Sequence, residues 1–170
     1  MNYYGVGVKF GGTQEMLPLY LEKDCWFMGF RREEKPSFYE TAQKVQPGDV
    51  MIAKAYATAA QAYYYVRAIG IVTDTKKPDT IPSEYDDRAG FSVTWIKYFE
   101  KPAALSAKKF ARGTFHTKTI FLEKNPDLIA KIQEMMKYDY AGEPDETESF
   151  EEGIPEVSET ANLLSQEGLN

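Results

Sequence analysis

The chain has 170 residues, a single-domain length that can bury a core without cross-links, and 14% of it is aromatic, including 12 tyrosines. One cysteine (Cys25) and one histidine (His116) exclude an internal disulfide, a cysteine-rich metal site and paired-histidine metal motifs. The net charge of −6 is uneven: nine of the 26 acidic residues lie in 140–170, which holds no Lys or Arg, so residues 1–139 set 20 basic against 17 acidic residues, a net of +3.

The opening MNYYGVGVKF has neither a basic leader nor a long apolar run, and no window approaches the roughly 18 apolar residues of a membrane span. A cytoplasmic protein is expected. NYYGVGVKF reads as a first strand with Tyr4, Val6 and Val8 on one face, ended by Gly11 and Gly12. TQEMLPLYLEK fits a short helix limited by Pro18, and CWFMGF a short buried strand that makes Cys25 a structural thiol. In KPSFYETAQKVQPGD, Phe38, Ala42 and Val45 recur at helical spacing, with Ser37 as cap and Pro47-Gly48 as stop.

Two strands follow, DVMIAKAYA and YYYVRAIGIVT, the second dense in β-branched and aromatic residues. On the first, Val50, Ile52, Lys54 and Tyr56 share one face, and Met51, Ala53 and Ala55 the other. A polar loop leads to FSVTWIKYFE, where alternation puts Phe91, Val93, Trp95 and Phe99 on one face, with Ile96 and Lys97 breaking the pattern. KPAALSAKKFARGTFHTK is ambiguous, and a last strand falls near Thr119–Leu122. The final helix is the clearest element: Asn125 caps it, Pro126 takes its first position, and Leu128, Ile129, Ile132, Met135 and Met136 form its apolar stripe.

No repeated βαβ period exists. These elements predict an α+β fold: a small, mixed, partly open β-barrel of five to six strands with two or three flanking helices. The domain is placed at 1–139 and an acidic, disordered tail at 140–170.

No catalytic constellation is found: there is no Walker loop, no Gly-x-Ser-x-Gly turn, and no metal-ligand spacing. A non-enzyme without metal or cofactor is expected. Lys54, flanked by alanines, must be paired or face a rim or ligand, since an unpaired buried lysine is costly. Trp26 and Trp95 are either core or the walls of a stacking pocket, and the tyrosine run, Tyr63 included, either packs across strands or lies at an edge. Arg31, Arg32, Lys108, Lys109, Arg112 and Lys118 are candidates for phosphate contacts, or else a solvated face.

The order CWFMGF, a helix, GDVMIAKAY, VRAIGIVTD, a polar loop, VTWIKY and TIFLEKNPDLIAKI resembles the PUA-like superfamily over residues 3–137. It is closest to the EVE-type branch and to the modified-DNA-reading domains attached to McrB-like restriction systems. The resemblance implies a partly open barrel with flanking helices that binds RNA or modified DNA, an extruded base being held in an aromatic pocket. It makes Trp26 and Trp95 pocket walls and Lys54 a polar group at the pocket edge. Tyr56, on the Lys54 face of its strand, and Tyr63, of the tyrosine run, complete the candidate base-binding set. The AYATAAQAYYY connection is longer than that family's usual turn. The leading expectation is a non-catalytic reader of a flipped or single-stranded base, modified or not. The alternatives are a nucleotide-binding sensor of phage or host type, and an interaction or inhibitor protein whose acidic tail meets a protein partner or mimics nucleic-acid charge.

Overall fold

The computed structural model describes residues 1–56, 64–100, 105–106 and 118–137. Strands β1 (Tyr3–Gly7), β2 (Lys9–Phe10) and β3 (Gln14–Glu15) precede helix α1 (Leu17–Lys23) and β4 (Cys25–Phe27). Helix α2 (Pro36–Ala42) leads to the long pair β5 (Val50–Tyr56) and β6 (Tyr64–Asp74). A 3-10 turn at Ser83–Tyr85 precedes β7 (Gly90–Tyr98), the two-residue β8 (Leu105–Ser106), β9 (Ile120–Leu122) and α3 (Pro126–Lys137). The main sheet runs in the order β4-β7-β6-β5-β1-β9, with β8 added to β6. Only β1 and β5 pair in parallel within it; the other described pairs are antiparallel. With the three helices among the described residues this is the small, mixed, partly open barrel expected.

Alternation on β5 divides the core. Met51 and Ala53 join Tyr4, Val6, Trp26, Phe91 and the buried faces of α1 and α2 in one apolar layer. Val50 and Ile52 join Tyr3, Tyr64, Val66, Ile69, Phe121 and the α3 stripe in the other. Leu128, Ile132 and Met135 of that stripe are buried, while Ile129 and Met136 pack at its margin. Gly5 matters here because the Phe121 ring lies across it: a Cβ at that position would sit 2.3 Å from Phe121 Cζ.

Local signals were accurate where the chemistry is local. Asn125 Oδ1 accepts the N–H groups of Asp127 at 3.0 Å and Leu128 at 3.2 Å, capping α3 as expected. Cys25 is fully buried, and burial pushes its thiol up to about 12, so it is inert. Three expectations are corrected. The first strand stops at Gly7, and Gly11 and Gly12 (φ +60° and +76°) instead turn a β2–β3 hairpin. Helix α2 begins at Pro36 with Lys35, not Ser37, before it, since proline's fixed φ and missing N–H suit the first helical position. Phe99 lies in the α3 layer rather than with Phe91 and Val93, because the β6–β7 register passes from Gly70–Trp95 to Ile69–Lys97 and skips Ile96. That bulge reverses the alternation beyond it.

The start of α3 depends on a buried acid. Tyr64 donates its hydroxyl to Glu123 Oε1 at 2.5 Å, and Glu123 Oε2 accepts the Lys124 and Asn125 N–H groups at 3.1 and 3.2 Å. Burial, then the Glu123 charge, holds the Tyr64 phenol well above its usual pKa. Tyr64→Phe is expected to lose about 1.5–3 kcal/mol, the range for hydrogen bonds to charged groups. Urea unfolding in a double-mutant cycle with Glu123→Gln tests this: full additivity would show that the bond contributes nothing. No described helix is long and apolar enough to cross a membrane.

Candidate nucleic-acid interface

Three half-exposed or buried rings meet where β2, β4 and the 3-10 turn converge. Phe10 lies edge-on to Phe27 (centroids 5.8 Å apart) and to Tyr85 (5.7 Å), and Phe27 is 4.7 Å from Tyr85. Phe27 is fully buried, whereas Phe10 and Tyr85 keep part of their rings at the surface. The loop that carries Tyr85 is tied down by cations that donate to backbone carbonyls as well as to Asp87. Lys77 Nζ donates to the Tyr85 carbonyl at 2.7 Å, to that of Asp86 at 3.1 Å, and to that of Arg88. Arg88 Nη1 donates to the Gly29 carbonyl at 2.6 Å, its guanidinium standing 5.7 Å from the Tyr85 ring. Asp87 accepts from both Arg31 and Arg88 at 3.2 Å, on a surface where such pairs contribute little to stability. The result is a pre-positioned aromatic rim beside guanidinium groups.

Helix α2 has a groove on each side. Between α2 and β9 lies one of about 290 Å³ edged by Lys44, Lys118 and Lys124, with Ser37 and Thr41 on the helix side. On the other side a cavity of about 480 Å³ is lined by Arg32, Tyr39 and Phe91 among others, the Arg32 guanidinium 4.7 Å from the Tyr39 ring. Lysines and hydroxyls along an open groove suit a phosphate backbone, which asks for charge without fixed register.

The residues singled out from the sequence are distributed as follows. Trp26 is fully buried, stacked on Phe91 (6.0 Å, 12°), and donates its indole N–H to the Gly7 carbonyl at 2.9 Å. Trp95 is half-buried and packs against the same apolar layer, and its N–H is shared between the Tyr20 and Cys25 carbonyls at 3.1 and 3.2 Å. Lys54 lies in the opposite layer, 4% exposed, its Nζ 5.9 Å from the Phe121 ring centroid; burial pulls its ammonium from the usual 10.5 down to about 7. The two tryptophans thus share one layer, and Lys54 lies in the other. Tyr56 ends β5 opposite Tyr64. Arg31 and Arg32 flank the aromatic rim and the second α2 groove, and Lys118 edges the first. Tyr63, Lys108, Lys109, Arg112 and the acidic tail lie outside the described residues. No group of three or more His, Cys, Asp or Glu side chains among the described residues could hold a metal ion.

Sequence reasoning passed over Phe10, Tyr85, Lys44 and Lys124. Tyr85 had one local signal, a lone aromatic in the polar loop IPSEYDDRAG. The two lysines had none, because only the α2–β9 contact brings them together.

No family model matches the sequence, and no curated protein does. Solved structures do match in fold. The Pho92 YTH domain in complex with m6A aligns with a TM-score of 0.52 at 9% identity, over 83% of this chain and 89% of that one. The YTH domain of Zygosaccharomyces rouxii MRB1, in complex with N6-methyladenosine RNA, aligns with a TM-score of 0.51 at 10% identity, over 86% of this chain and 91% of that one. The chain therefore shares with these YTH domains their fold, a small, partly open barrel flanked by helices.

Proposed function

We propose that this protein is a non-catalytic nucleic-acid-binding module that reads a flipped or single-stranded base, modified or not. The reading is supported above all by its fold likeness, over more than four-fifths of both chains, to two YTH domains in complex with m6A or with N6-methyladenosine RNA. The surface agrees with it. Phe10 and Tyr85 offer ring faces for stacking, Trp95 keeps part of its ring accessible, and the Lys44–Lys118–Lys124 groove offers charge for phosphates. Stacking is worth about 1–3 kcal/mol per base, and flipping favours a base already loosened from its partner. RNA is the first substrate to try, given those two complexes; the EVE-type reading of modified DNA is the second.

Fluorescence anisotropy with short single-stranded RNA and DNA, each with adenine or N6-methyladenine, tests this. Tyr85→Ala should lower affinity about tenfold or more, in line with one lost stacking partner. Replacing Lys44, Lys118 and Lys124 together by glutamine should weaken binding at low salt and flatten the salt slope by about 2, near 0.7 per single-strand phosphate contact. Equal affinity of both variants with the parent for every oligonucleotide would refute the proposal.

A further inference from the structure

The larger cavity beside α2, about 480 Å³, has the size of a site for a small ligand, and its lining differs in kind from that of the lysine groove. Among the described residues around it Arg32 carries the one charge, while Gln43, Gln46 and Thr75 bring neutral donors and acceptors. Tyr39 and Phe91 supply apolar wall. Phosphates are met by several cations, as in the groove of Lys44, Lys118 and Lys124; a single guanidinium among carboxamides is a poorer match for them. It is a better match for a base. A carboxamide donates and accepts at once, and glutamine pairs in bidentate fashion with the edge of adenine.

Arg32 is placed for stacking. Its guanidinium lies 4.7 Å from the Tyr39 ring centroid, and that ring is buried and fixed, its hydroxyl donating to the Phe30 carbonyl at 2.7 Å. Arg32 itself is exposed. A planar cation backed by a fixed ring is a surface on which single-stranded bases stack. The cavity also adjoins the aromatic rim. Residues 27–32 and 85–91 serve both, with Phe27 and Tyr85 at the rim and Arg32, Ala89 and Phe91 at the cavity. The Met28 N–H donates to the Ala89 carbonyl at 2.8 Å, Arg88 to the Gly29 carbonyl at 2.6 Å, and Arg31 pairs with Asp87, so the two segments are held side by side. Tyr85 and Ala89 are separated by at most about 14 Å of chain, close enough for neighbouring nucleotides of one strand to occupy rim and cavity together.

We propose that this cavity is a second base site, taking an adenine that flanks the base held at the rim, with Arg32 as the stacking surface and Gln43 and Gln46 as readers of its edge. It adds a sequence preference to the base-reading function proposed above and rests on that function. A free adenine nucleoside presents the same edge, and the test separates the two sources.

The test uses the full chain. Anisotropy is measured with short single-stranded RNAs that keep one central base in a uridine background and carry adenine, guanine, cytosine or uracil on its 5′ or its 3′ side. Adenine on one side should bind about tenfold tighter than uracil there, the size of one bidentate base contact. The double variant Gln43→Ala, Gln46→Ala should abolish that preference, whereas Tyr85→Ala should weaken every RNA of the set alike. In parallel, adenosine alone is titrated while the side-chain amide signals of Gln43 and Gln46 are followed by NMR. An adenine preference lost in the double variant assigns the cavity to the strand. Amide signals that move with adenosine, where no RNA binds, assign it to the free nucleoside and overturn the base-reading function. Equal affinity for all flanking bases, with binding still dependent on Tyr85, overturns the second site and leaves that function standing. A preference that survives the double variant also overturns it, and neither RNA binding nor an adenosine response overturns both.

Discussion

Trp26→Ala should lower unfolding stability by about 3–5 kcal/mol, the range for removing a large aromatic from a packed core. Trp26 is fully buried, lies flat on Phe91, and supplies a donor to the Gly7 carbonyl, which the substitution removes. Against a typical domain stability of about 5–15 kcal/mol, that is a third or more of the total. Trp95→Ala should cost less, since its ring is only half-buried. The expectation drawn from resemblance alone, that Trp26→Ala would remove binding and spare the fold, changes with this geometry. Urea unfolding of both variants beside the parent is the check; a Trp26→Ala midpoint equal to the parent's would show that the ring is not core. Binding by that variant is informative only where circular dichroism shows it folded.

Lys54→Met should make the protein more stable near neutral pH and remove a rise in stability between pH 7 and about 9.5. Burial lowers the Lys54 ammonium from 10.5 to about 7 in the folded chain, while the unfolded chain keeps the ordinary value. Between those values the unfolded state holds a proton that the folded state has released, so stability rises with pH across that window. Below it both states are charged and the full burial penalty remains. At about 1.4 kcal/mol per pH unit the whole shift corresponds to roughly 5 kcal/mol, an upper bound. Above about pH 10 the buried tyrosines Tyr20 and Tyr64, whose pKa values burial raises, work the other way, because the unfolded chain ionises first. Denaturant midpoints of parent and variant, measured from pH 6 to 9.5, decide the matter: parallel curves would mean that Lys54 is not desolvated.

How far the molecule could be read from its residues depends on the range of the forces involved. The α3 cap at Asn125, the apolar stripe from Leu128 to Met136, and the β-branched run of β6 were all legible, because each is decided within a turn or a few residues. The layer assignment of Phe99 was not. It depends on a bulge at Ile96 that exists only once β7 is paired with β6. The sequence pattern did register the fault, as the broken alternation at Ile96 and Lys97.

The candidate site shows the same division. Composition, spacing and motif order by themselves determined the α+β class, offered no catalytic or metal-ligand motif, and marked Lys54, Trp26 and Trp95 as residues needing an explanation. Tertiary structure decided what that explanation is. It committed the Trp26 indole to the Gly7 carbonyl, sank Lys54 into the α3 layer, and assembled the rim of Phe10 and Tyr85 and the groove of Lys44 and Lys124 from distant segments. Burial and hydrogen-bond commitment are properties of an enclosed volume, and no local pattern specifies which segments will enclose it.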